Sequence, residues 1–86
     1  MKQLFKVISQ SEPVTIQKQD GSTISKSTIV LQEIGGKFEN QYACSLLGNQ
    51  ARYLQGDIVY ASLRFTVREH QGQHYQDITI LDIISI

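Results

Sequence analysis

The chain has no tryptophan, one cysteine, one proline and one methionine in 86 residues, and its charges sum to zero. A single cysteine, Cys44, excludes an intrachain disulfide and a cysteine-rich zinc site. Eight Lys and Arg balance eight Asp and Glu, so no overall field draws the chain toward nucleic acid or an anionic membrane. No apolar run approaches the roughly 18 residues of a membrane helix, and Lys6 interrupts the short N-terminal stretch from Leu4 to Ile8, with no cleavage site after it. These absences predict a soluble, cytoplasmic protein. A glycine-rich phosphate loop, a G-x-S-x-G elbow and a supported Cys–His arrangement are also missing, which predicts a binding protein with no cofactor rather than an enzyme.

What is present suits one small packed domain over residues 1–86. Hydrophobic residues make up 41% and charged residues 19%, so a core is expected. A domain of this size buries only about 60–65% of the surface its unfolded chain exposes. A thin margin and open sheet edges favour partnership, here a homodimer or homotetramer.

The pattern is that of strands. Leu4–Ile8 begins the first, Glu12-Pro13 bends it because Pro removes a ladder donor, and Val14–Lys18 resumes it. Gln19-Asp20-Gly21-Ser22 predicts a tight turn into a second strand from Thr23 to about Ile34. Past Gly35-Gly36, Phe38, Tyr42, Cys44 and Leu46 alternate with Glu39, Gln41, Ala43 and Ser45 in a third strand. A short helix is predicted over residues 48–56, with Asn49 as N-cap and Gly56 as the terminating residue.

From Asp57 to Ile86 the spacing predicts a long closing hairpin. Val59, Ala61, Leu63, Phe65 and Val67 are assigned to the core face, and Tyr60, Ser62, Arg64, Thr66 and Arg68 to the outer face. Gln71-Gly72-Gln73 forms its tip. The apolar phase slips between Ile80 and Leu81, which predicts a β-bulge. Strand, strand, strand, short helix, strand, strand is the order of an all-β, five-stranded barrel of the oligonucleotide/oligosaccharide-binding (OB) type, with an SH3-like barrel as the nearest rival.

The run Cys44-Ser45-Leu46-Leu47-Gly48-Asn49-Gln50-Ala51, then Gly56-Asp57-Ile58-Val59, Arg68-Glu69, Gly72, Tyr75, Asp77 and Ile78, resembles small bacterial OB-fold proteins related to single-stranded-DNA-binding protein (SSB). The resemblance covers about half of the chain, from Cys44 to Ile83, and implies binding of single-stranded DNA without sequence preference. The sequence departs from SSB in having neither Trp nor the Gly- or Gln-rich tail with an acidic tip that recruits partners. Base stacking then falls to Tyr and Phe.

Such a site needs aromatic faces beside cations that follow the phosphates. Tyr60, Arg64 and Arg68 share the outer face of the fourth strand at spacings of four, and Lys26, Phe38 and Tyr75 extend the set. Each has a plainer alternative: Arg64 and Arg68 pair with Glu69 or Asp77, Tyr60 covers an oligomer interface, and Tyr75 packs across the hairpin. Tyr42 and Cys44 are assigned to packing, and His70 and His74 to a solvated loop, since a third metal ligand is missing. The expected ligand is single-stranded DNA, with RNA open. The alternative is an assembly module without nucleic acid, suggested by the apolar Ile83, Ile84 and Ile86.

Overall fold

The computed structural model describes residues 1–37, 39–54 and 56–86. Six strands follow one another: β1 Lys2–Gln10, β2 Val14–Gln17, β3 Thr23–Glu33, β4 Gln41–Leu47, β5 Ile58–His70 and β6 Gln73–Ser85. They lie in the order β1-β5-β6-β4-β3-β2, and a further β1–β3 pairing closes the sheet into a barrel. All neighbours are antiparallel except β4 and β6, which meet in parallel at Ser45 and Thr79.

β1 and β2 act as one bent strand, because both pair with β3 and Pro13 lies between them. Ser11 holds the bend. Its N–H donates to the Thr28 carbonyl, and its hydroxyl oxygen accepts from the Thr28 N–H, each at 2.9 Å. The expected five-strand OB arrangement is therefore present, with its first strand written as two segments. The turn into β3 is built on Asp20, whose carboxylate accepts from the Ser22 N–H and hydroxyl at 2.9 and 2.6 Å. These bonds hold the Asp20 carboxyl below its usual range. Gly21 takes the positive φ, +89°, that this tight turn requires.

The core is drawn from every strand but β2. Phe5, Ile29, Leu31, Cys44, Leu46, Val59 and Ala61 are fully buried, and Leu54, Leu63, Ile80 and Ile83 join them. The predicted bulge is there: Ser62 pairs with Asp82 and Leu63 with Ile80, which leaves Leu81 as the extra residue. That extra residue is what lets both Ile80 and Ile83 face inward although they are three positions apart.

Two expectations need correction. The helix over residues 48–56 shrinks to a 3-10 turn at Gly48–Gln50, and the residue before it, Leu47, makes no side-chain cap. Asn49 is thus not an N-cap; within that range Gln55 lies outside the described residues. A nine-residue stretch without a capping bond has little of its own to offset the cost of helix nucleation. The loop is held instead by Gln10, whose side-chain amide donates to the Leu54 carbonyl at 3.1 Å and accepts from its N–H at 3.0 Å. Leu54 is thereby inserted into the core.

The second correction concerns Phe65 and Val67, which follow the core phase of β5 but are 39% and 67% exposed. β1 pairs with β5 only from Ile58 to Ser62, and beyond Leu63, which is still buried, the strand runs out of the barrel. The distal β5–β6 hairpin projects past the barrel as a two-stranded arm. Phe65 keeps one contact inward, an edge-on approach to the Tyr42 ring at 6.0 Å.

Candidate nucleic-acid interface

The arm and the β2–β3 hairpin rise on either side of the β4–β6 junction, and an open groove of about 390 Å³ runs between them. Ser45, Thr66 and Thr79 lie in it, with Ile16, Leu47 and Lys26 from the β2–β4 side and Arg68 and Asp77 from the arm. All eight belong to the outward phase of their strands. The register accounts for this: Lys26 opposes Leu47 and Val14, Ser45 opposes Thr79, and Thr66 opposes Asp77.

Two of the expected site residues, Lys26 and Arg68, thus enter one groove from chain positions 42 apart. Tyr75, which does not itself line the groove, stands beside Arg68, opposite it in the register, with its ring centre 5.3 Å from the guanidinium carbon. Its hydroxyl donates to the Gln73 side chain at 2.6 Å, and the ring is exposed. This is a cation beside an aromatic face, the pairing that single-stranded nucleic acid requires.

Arg64 does not line the groove, although its register partner Thr79 does. Tyr60 is elsewhere. It lies eight residues before Arg68 on β5, about 26 Å away at the usual strand rise, beneath the Lys2 ammonium at 5.9 Å. Phe38 lies outside the described residues. Beyond the residues expected from spacing, the groove holds the Thr66, Ser45 and Thr79 hydroxyls, the apolar Ile16 and Leu47, and one acid. Strand parity already set Thr66 beside Arg68, but only the β4–β6 junction brings Ser45 and Lys26 across to them.

The acid limits the positive charge. Arg68 Nε donates to Asp77 Oδ2 at 2.7 Å, with both side chains largely exposed. Among the described residues Lys26 has no carboxylate within ion-pair range. One net positive charge therefore faces the groove.

The remaining reactive groups lie apart from it. Cys44 is fully buried, and burial pushes its thiol up to about 11, so it is a core side chain and not a nucleophile. The Tyr42 hydroxyl donates to Glu33 at 2.5 Å, and its ring meets Phe5 edge-on at 6.1 Å, so Tyr42 packs as expected. His74 Nε2 is 3.7 Å from Glu69 on the exposed arm. Among the described residues no three His, Cys, Asp or Glu side chains gather as metal ligands, and no helix is long and apolar enough to cross a membrane.

No family model and no curated protein matches the chain.

Proposed function

We propose that the protein binds single-stranded nucleic acid, DNA or RNA, along this groove without sequence preference. The carrying observation is the convergence of Lys26 and Arg68 on one open groove, with Tyr75 against Arg68. Lys26 and Arg68 neutralise phosphates on opposite walls, Tyr75 stacks a base, and the hydroxyls of Ser45, Thr66 and Thr79 bond to the backbone. The resemblance of residues 44–83 to SSB-like OB folds supports the same reading, as does the use of OB barrels generally for oligonucleotides. The setting that suits this role is the cytoplasm.

A small net charge in the groove predicts weak binding with a shallow salt dependence, set by about two phosphate contacts. A labelled oligo-dT titrated with the protein tests it: saturable binding near 50 mM salt that weakens about sevenfold by 200 mM is expected. No binding at the lower salt contradicts it. The second reading, an OB module that binds protein and no nucleic acid, is favoured by a different observation, the exposed Leu4, Tyr60 and Ile84 far from the groove.

A further inference from the structure

Leu4, Tyr60 and Ile84 are direct cross-strand partners on β1, β5 and β6. Their side chains therefore leave the sheet on the same side, in one row. They are 46, 36 and 59% exposed, so the row is an exposed apolar stripe on the barrel surface, with the Lys2 ammonium 5.9 Å from the centre of its Tyr60 ring. The row on one side of it is Lys2, Ser62 and Asp82. On the other side Lys6 pairs with Ile58, and the Ile86 N–H donates to the Ile58 carbonyl. Charge of opposite sign thus marks the two ends of one row, Lys2 on β1 and Asp82 on β6, while Lys6 lies on the other side of the stripe, four residues from Lys2 on the same strand.

We propose that this face binds the same face of a second copy of the chain, about a two-fold axis running close to β5 through Tyr60. That axis exchanges the β1 and β6 sides of the patch. Leu4 then meets Ile84 of the second copy, Tyr60 meets Tyr60, and Lys2 meets Asp82, twice over. A two-fold set along the row instead brings Lys2 over Lys6 of the second copy, cation against cation. The charge pattern therefore selects both the occupant, an identical surface, and the orientation. Strands of the two sheets cross at the small angle that aligned sheet packing uses.

Three strands about 4.8 Å apart and three rows about 6.7 Å apart make a patch of roughly 15 by 20 Å. That is about 300 Å² on each copy, below the size of stable specific interfaces, so the dimer is weak and exchanges with monomer as concentration changes. The groove at the far end of β5 stays open in such a pair. The proposal stands whether or not the groove binds nucleic acid.

The test is a mass measurement by sedimentation from about 1 µM to about 1 mM protein, with circular dichroism to confirm that each variant keeps its strands. The mass is expected to rise from 9.7 kDa toward twice that value. Lys2→Glu and Asp82→Lys should each raise the dissociation constant about tenfold, since each turns two attractions into two repulsions. The double variant restores the pairing with opposite polarity and should return to within about threefold of the wild type. A monomer throughout the range overturns the proposal. So does a dimer that ignores the single reversals, or a double variant no tighter than the singles. A change in oligo-dT binding with no change in mass assigns the row to nucleic acid instead.

Discussion

Arg68 on β5 donates from Nε to the Asp77 carboxylate on β6 at 2.7 Å, across the arm that forms one wall of the groove. The two are not direct register partners: Arg68 opposes Tyr75 and Asp77 opposes Thr66. The bond is diagonal, and it leaves the Arg68 guanidinium leaning over the Tyr75 ring. Both side chains are open to solvent, so the pair contributes little to stability. Its consequence is electrostatic: an anion stands where a phosphate contact is proposed.

Removing that anion should favour the ligand. Asp77→Asn is expected to tighten oligo-dT binding several-fold at low salt and to change folding stability by less than about 0.5 kcal/mol. Titrations at several salt concentrations and a urea melt check both. Unchanged affinity would place the phosphates away from Arg68.

The two outer-face tyrosines of the arm and barrel should behave differently. Tyr75→Leu is expected to weaken oligo-dT binding by about 1–3 kcal/mol, the usual worth of one stacked base. Tyr60→Leu, about 26 Å along β5, should leave that affinity unchanged. Fluorescence anisotropy with one labelled oligonucleotide compares them directly.

That contrast shows what a strand pattern conveys. Alternation at Val59, Ala61 and Leu63 reports side-chain phase, and those residues are buried as expected. Phe65 and Val67 continue the same phase without burial, because phase says nothing of whether another layer covers the strand. Tyr60, Arg64 and Arg68 likewise share a face, but the rise along β5 separates the first from the last. Lys26 and Arg68 meet only through the single parallel contact of β4 with β6, a long-range pairing that local spacing does not encode. The expected helix over residues 48–56 gives way to a 3-10 turn for a related reason: a long-range clamp from Gln10 outweighs a weak local preference.

Cys44 should be silent in the native state. The thiolate is the reactive form, and burial raises the thiol to about 11. Ellman's reagent near pH 8 is expected to label it slowly in buffer and promptly in denaturant. Fast labelling of the native protein contradicts its place in the core.

Tyr42 carries a pH dependence at the alkaline end. Its bond to Glu33, followed by burial, raises the hydroxyl above its usual 10. The folded state then holds this proton more tightly than the unfolded chain. The associated stability is full below pH 10 and is lost as pH climbs through the folded pKa. Urea midpoints of the wild type should fall more steeply above pH 10 than those of Tyr42→Phe. At neutral pH the variant should cost about 1 kcal/mol for the lost bond.

The groove itself is tested most directly by oligo-dT titration of the wild type against the Lys26→Gln/Arg68→Gln double variant across a salt series. The expected result is saturable wild-type binding, at least about tenfold weaker in the double variant. The slope of log affinity against log salt should also become shallower by about 1.4, that is about 0.7 for each of two lost phosphate contacts. Equal affinity and equal slope in the two proteins, with both folded, would contradict it.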